Sequence, residues 1–98
     1  MNVPKNEVEM ERALVQIANV YLKFTITNSK SKYTQKAILF IQKINRAFAS
    51  LNPLFQELIN NDFFFQDYPG WWESRYSPLF YYSMKNLAVR SFLVRFYE

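Results

Sequence analysis

The sequence predicts a small all-α protein, and three observations support that prediction. Half of the 98 residues are hydrophobic and 19% are aromatic, which is enough for the core of a single domain spanning residues 1–98. One glycine and four prolines are too few for the regularly spaced turns of a β-rich fold. Apolar residues recur at steps of three and four along much of the chain, which is typical of helices. We expect about five helices.

The first helix is predicted over about residues 6–24. Glu7 and Glu9 fall in its opening turns, where they complement the positive end of the helix dipole. The stretch 25–34 is rich in Thr, Asn, Ser and Lys and is interpreted as a basic linker, so that residues 1–34 form an N-terminal helix and linker. The predicted buried stripe consists of Leu14, Ile17, Tyr21 and Phe24.

The second helix is predicted over about residues 35–50, with Thr34 as its N-cap. A third helix should begin at Pro53, because Asn52 is a preferred cap residue and Pro is favoured at the first helical position. It is expected to end near residues 60–61, and residues 63–65 either finish it or form a connecting plug. The predicted stripe of the second helix is Ile38, Ile41, Ile44, Phe48 and Leu51.

A short fourth helix over about residues 70–75 and a fifth helix from Pro78 to about Phe96, capped by Ser77, complete the prediction. A short helix, a tight turn and a longer helix follow in the order of a helix-turn-helix, here at about 70–96 within a helical core at 35–98. On the last helix the spacing puts Tyr81, Met84 (or Lys85), Ala88 and Phe92 on a packing face. A second face carries Leu79, Tyr82, Ser83, Asn86 and Arg90.

The charge distribution favours a polyanionic partner. The formal net charge is +4, and residues 13–56 contain six basic side chains and no acidic one. An ordinary solvated lysine-rich face is the alternative. With double-stranded DNA as the partner, four side chains of the second face are the predicted base readers, because amide, hydroxyl and apolar groups contact base edges: Leu79, Tyr82, Ser83 and Asn86. The predicted phosphate-binding set is Arg75, Lys85, Arg90, Lys32 and Lys36.

Composition argues against several functions. The chain has no cysteine and no histidine, which removes disulfides, thiol catalysis, zinc fingers and the usual general base near neutral pH. Asp62 and Asp67 are interpreted as caps and surface charges, so we expect no enzyme, no cofactor and no metal site. No stretch approaches the ~20 apolar residues that span a bilayer. A cytoplasmic protein without a membrane partner is the expectation.

Three stretches carry a resemblance: LNPLFQELINNDFF (51–64), WWESRYS (71–77) and YYSMKNLAVRSFL (81–93). They resemble the C-terminal half of the ArpU-like (autolysin regulatory protein) transcriptional regulators of Gram-positive bacteria and their phages. The resemblance implies a helix-turn-helix similar to region four of sigma factors, transcriptional regulation through DNA, and RNA polymerase or another protein as a further partner. The last helix has fewer Arg and Lys residues than is usual in that family. The motif positions are Leu51, Leu58, Ile59, Phe63, Tyr76, Ser77, Tyr81, Tyr82, Lys85, Ala88 and Phe92.

A rival interpretation is a non-catalytic helical bundle that binds a protein partner, such as a small phage or immunity-type interaction module. The low basic content of the last helix favours it. Trp71 and Trp72 either pack the short helix, stack on an unpaired base or dock a protein partner. If the protein forms a homodimer, the N-terminal helix from Leu14 to Phe24 is the predicted interface.

Overall fold

The computed structural model describes residues 4–26, 35–66 and 68–98, with the side chains of residues 25 and 26 excepted. Within these ranges the chain is all-α, as predicted, and contains four α-helices. They are α1 (Glu7–Ile26), α2 (Gln35–Ala49), α3 (Pro53–Ile59) and α4 (Pro78–Phe96), and a π-helical turn, Asn60–Phe64, directly continues α3. No helix in the described ranges is both long and apolar enough to cross a membrane.

Helix α1 begins next to Asn6, whose side-chain oxygen accepts a hydrogen bond from the Glu9 backbone N–H at 2.9 Å. Its buried side comprises Leu14, Ile17 and Ala18, and it packs against α4 and the π-helical turn. Two members of the predicted stripe are therefore buried as expected. The predicted homodimer interface, the helix from Leu14 to Phe24, uses its Leu14, Ile17 and Ala18 side for the core of the chain itself.

Helix α2 turns a slightly different side inward than predicted. Ala37, Ile44 and Ala47 are its buried residues, whereas Ile38 is 38% exposed, so the prediction that Ile38 is buried is wrong. The two alanines are small and let α2 lie close to α4, against which it packs. The predicted cap Thr34 and most of the 25–34 linker lie outside the described residues.

The two Asn/Ser-Pro sequences start helices as predicted. The Asn52 side chain accepts a hydrogen bond from the Phe55 backbone N–H at 2.8 Å, and Pro53 is the first residue of α3. Ser77 accepts from the Phe80 backbone N–H at 3.2 Å in the same way, and α4 begins at Pro78. Each cap satisfies one backbone donor that the first turn of a helix leaves without an intrahelical partner.

Helix α4 is the central element, because α1, α2 and α3 all pack against it. Ala88 and Phe92 are completely buried at its middle, where the small Ala88 side chain allows close helix approach. Aromatic rings extend this core in both directions. Phe64 lies 6.0 Å from Phe92 between ring centroids, and Phe40 lies 5.8 Å from Phe96.

The prediction of a short helix at 70–75 is wrong. Residues 69–75 form consecutive turns, and the hydrogen bonds that close them run mostly from residue i+3 to residue i, as from Glu73 to Gly70 at 3.0 Å. Gly70 has φ +80°, which lies outside the helical region. This conformation favours glycine because glycine has no side chain to clash with the backbone. The described chain therefore lacks the short first helix of the helix-turn-helix expected at 70–96.

Candidate functional site

Helix α4 is apolar on two sides. Its inner side comprises Tyr81, Ala88, Val89, Phe92, Leu93 and Phe96, all buried. Opposite to it runs a row of exposed residues, which we call the outer stripe: Leu79, Phe80, Ser83, Leu87, Arg90 and Val94. The exposed fractions of its apolar members are 80% for Leu79, 41% for Phe80, 44% for Leu87 and 57% for Val94. A helix that is apolar on both sides is usually covered on both, so the outer stripe is a candidate interaction surface.

The four predicted base-reading residues are not on one surface. Leu79 and Ser83 are exposed on the outer stripe. Tyr82 is 55% exposed but points to a different side of α4, where its ring meets Trp72 edge-on at a centroid distance of 5.8 Å. Asn86 lies at the edge between the exposed and buried sides and is half-buried. The structure therefore leaves Leu79 and Ser83 as the exposed pair with a common direction.

Lys85, a predicted phosphate-binding residue, faces inward. Its side chain is 16% exposed, and its ammonium lies 3.9 Å from an oxygen of Asp62 and 3.7 Å from an oxygen of Glu11. It also lies over the rings of Phe63 and Tyr81. Two carboxylates already compensate its charge, so a phosphate could contact it only after this arrangement opened.

Arg75 is exposed, but its guanidinium is engaged. It donates two hydrogen bonds to the two carboxylate oxygens of Glu57, and one of its nitrogens also donates to the Tyr76 hydroxyl at 3.0 Å. The hydrogen bond to Glu57 is the main cause that raises the pKa of Arg75 above its ordinary value. The guanidinium of Arg75 binds Glu57 through two parallel hydrogen bonds, and it would use the same two-point geometry to bind a phosphate.

Of the remaining predicted phosphate-binding residues, Lys36 lies near the opposite end of α4 from Leu79. Lys36 is exposed near the start of α2, the end of that helix where Phe40 meets Phe96. Leu79 and Phe96 are separated by about 25 Å along α4 at 1.5 Å per residue. Arg90 is exposed on the outer stripe and forms no ion pair within the described residues. Lys32 lies outside the described residues.

A polar cluster that the sequence did not predict lies beneath Tyr81. The two oxygens of Asp62 accept hydrogen bonds from the Trp71 indole N–H at 2.8 Å and from the Tyr81 hydroxyl. The Asp62 side chain is only 12% exposed, so its interpretation as a surface charge is wrong. Burial, and then the hydrogen bond to Asp62, raise the pKa of the Tyr81 phenol well above its ordinary value. The companion prediction for Asp67 lies outside the described residues.

The Asp62 cluster holds the 68–76 turns against the helices. Trp72 stacks on Tyr81 with a centroid distance of 4.1 Å, and both tryptophans are buried. Of the three roles considered for Trp71 and Trp72, packing is therefore the one observed. A cleft of about 320 Å³ opens beside this cluster, lined partly by Asn61, Gln66 and Tyr68. No sequence signal links Asp62 to Trp71 and Tyr81, because the contact depends on where the turns return.

Arg90 borders a second, more apolar cleft of about 240 Å³ at the other end of α4. Pro4, Met10, Leu93 and Val94 line it together with Arg90. It is continuous with the outer stripe, because Arg90 and Val94 belong to both. No group of three or more Asp or Glu side chains in the described residues could hold a metal ion.

No family model, curated protein or solved structure matches this chain. The ArpU-like resemblance thus remains a prediction from the sequence, and the geometry of the chain itself must carry any functional proposal.

Proposed function

We propose that this protein is a non-catalytic helical module that binds a protein partner through the outer stripe of α4. The observation that carries the proposal is the alignment of four exposed apolar residues along one side of a single helix. Isolated surface leucines or valines are normal in folded proteins, but contiguous exposed patches mark interaction sites. Leu79, Phe80, Leu87 and Val94 follow one another along a single side of α4.

The size of the outer stripe supports the same conclusion. Its four apolar residues leave about two side chains' worth of surface exposed, on the order of 350 Å² at roughly 150–200 Å² per large apolar side chain. Patches of a few hundred Å² are the largest that typical monomers expose, and they are often functional. Covering this one would contribute about 3–6 kcal/mol at 1.5–3 kcal/mol per side chain.

Electrostatics favour a protein over a nucleic acid as the partner. A DNA-reading helix normally brings unpaired cations to the phosphates on both sides of a groove. Here Lys85 and Arg75 are bound to carboxylates, and Arg90 is the only unpaired cation of the outer stripe. Aromatic and Arg residues among apolar ones are the composition of protein-binding surfaces.

A photo-cross-linking experiment tests the proposal. A benzophenone amino acid replaces Leu87 at the middle of the outer stripe, and in the control it replaces the exposed Gln42 of α2. We expect a cross-linked polypeptide from position 87 in the cells that naturally make the protein, and none from position 42. The adduct should resist nuclease, should disappear with protease, and should be lost when Val94→Asp is added. Equal adducts from both positions, or none from position 87, would contradict the proposal.

Duplex DNA binding, the second candidate, is favoured by one observation. Ser83 and Arg90 are exposed on the same side of α4, and the whole chain carries a net charge of +4. Binding to mixed duplex DNA should then weaken steeply as salt is raised, because phosphate contacts release counterions. Arg90→Gln should weaken it for all sequences, whereas Arg95→Gln, which removes a cation paired with Glu98, should have less effect. Absence of binding at low salt would exclude this candidate.

A further inference from the structure

The apolar row Phe80, Leu87 and Val94 of the outer stripe is symmetric about its central residue. Phe80 and Val94 are each seven residues from Leu87, and Ser83 and Ser91 are each four residues from it. Seven-residue steps return to the same side of a helix, so the three large residues lie in one line with Leu87 at the centre. The two serines are small and leave room on either side of Leu87. Reversing α4 about Leu87 therefore exchanges Phe80 with Val94 and Ser83 with Ser91, whereas it exchanges Leu79 with Arg95 and Arg90 with Met84.

We propose that the partner of the outer stripe is a second copy of this chain, paired antiparallel along α4. The inference rests on the proposed function and names its partner. A two-fold axis through Leu87 would set this residue against itself, and would set Phe80 of each copy against Val94 of the other. A symmetric pair needs one self-complementary patch on each copy, and the row Phe80, Leu87 and Val94 has that property.

Charge selects the antiparallel direction. In a parallel pair, the Arg90 side chains of the two copies would lie side by side within an apolar contact, where like charges repel. In the antiparallel pair they lie six residues apart along the helix axis, about 9 Å at 1.5 Å per residue. That separation is close to the Debye length of about 8 Å at physiological ionic strength, so the repulsion is largely screened. Each Arg90 then faces the half-buried Met84 of the other copy.

The exposed area sets the expected strength. The apolar part of the outer stripe amounts to on the order of 350 Å² per copy. Stable interfaces bury about 800 Å² per partner, and transient ones bury less. The antiparallel pair should therefore be a weak, concentration-dependent dimer rather than a permanent one.

Sedimentation equilibrium on the full chain tests the pairing. We expect the average mass to rise from monomer toward dimer between about 10 µM and about 1 mM, the range in which weak complexes form. Leu87→Asp should raise the dimer dissociation constant at least tenfold, because it removes the central contact. The matched control is Val15→Asp on α1, where Val15 is 39% exposed against 44% for Leu87, and it should leave the dimer unchanged. Circular dichroism verifies that both variants are folded.

Single-cysteine variants then fix the geometry, because the chain has no cysteine of its own. Leu87→Cys should form a disulfide with itself, and a mixture of Phe80→Cys and Val94→Cys chains should form the mixed disulfide. Phe80→Cys alone should not cross-link in the antiparallel pair, so a rapid Phe80→Cys homodimer would overturn the proposal.

The two proposals can fail separately. A protein that is monomeric up to about 1 mM yet cross-links from position 87 to a different polypeptide would overturn the self-pairing and keep the interaction surface. A monomeric protein without any adduct at position 87 would overturn both.

Discussion

Asp62→Ala should be among the most destabilising single substitutions in this protein. The substitution removes the acceptor of the Trp71 indole N–H and of the Tyr81 hydroxyl, two groups on residues that are only 6% and 4% exposed. It also removes one of the two carboxylates near the ammonium of Lys85, whose side chain is 16% exposed. The remaining partner, Glu11, lies at 3.7 Å and is itself half exposed.

The expected cost is about 3–5 kcal/mol. Each buried donor left without an acceptor costs about 1–3 kcal/mol. Removing one partner of a buried ion pair costs about 3–5 kcal/mol when the other charge stays uncompensated. The neighbouring cleft admits water and Glu11 still faces Lys85, so these contributions should not add in full. A chain of this size has about 5–15 kcal/mol of stability in total, and Asp62→Ala should remove a large part of it.

Urea unfolding followed by far-ultraviolet circular dichroism measures this loss, with Glu57→Ala as the control. Glu57 also accepts hydrogen bonds from two side chains, Arg75 and Tyr76, but its own side chain is 30% exposed and that of Arg75 is 51% exposed. An exposed pair of this kind contributes little to stability, because solvent and salt screen the attraction. Adding Lys85→Met to Asp62→Ala should recover part of the loss, because it removes the uncompensated charge.

An Asp62→Ala protein within about 1 kcal/mol of the unsubstituted protein would refute the reasoning. So would equal losses for Asp62→Ala and Glu57→Ala, since burial would then make no difference to the two carboxylates.

Three further predictions concern single groups. Tyr81→Phe should flatten the decline of stability above pH 10. Because the pKa of Tyr81 is raised in the folded chain, the folded chain keeps a proton that the unfolded chain releases above the ordinary pKa of 10.0. The unfolding free energy of the unsubstituted protein therefore falls by up to about 1.4 kcal/mol per pH unit in this range. Urea titrations at alkaline pH, with the exposed Tyr82→Phe as control, check this, and an unchanged slope would contradict it. Gly70→Ala should cost about 1–2 kcal/mol in chemical unfolding because φ is +80°, and a neutral result would be unexpected. Ser77→Ala should cost about 1 kcal/mol through the lost cap of α4, and thermal melting should show a lower midpoint.

Local signals in the sequence predicted the helices well where residues close together along the chain determine the structure. Asn52 and Ser77 each accept the backbone hydrogen bond that starts a helix, and the following prolines fix the first residue. The packing side of α4 was also predictable, since Tyr81, Ala88 and Phe92, which lie seven and four residues apart, are all buried. Cap chemistry and helical periodicity both act within a few residues.

Predictions failed where contacts with segments that are distant along the chain determine the position of a side chain. The side of α2 depends on which small residues meet α4, and both Ala37 and Ile38 satisfy a helical spacing. The spacing left Met84 and Lys85 as alternatives for the packing side of α4, and Lys85 lies inward, where carboxylates of Asp62 and Glu11 from two other elements lie near its ammonium. The π-helical turn likewise brings Asp62 beneath Tyr81. Pairings between elements that are distant along the chain have no local sequence signature.

The 68–76 turns make the tryptophan fluorescence of this protein specific to one region of the fold. Both tryptophans of the chain lie in these turns, and they are buried against one end of the bundle. Their emission therefore reports the docking of that end alone, whereas ellipticity averages over four helices. In a fully cooperative unfolding the two signals coincide. If the turns detach as a separate unit, the emission should shift to the red at a lower denaturant concentration than the ellipticity falls. The native chromophores can thus locate, without any label, the first place at which the fold opens.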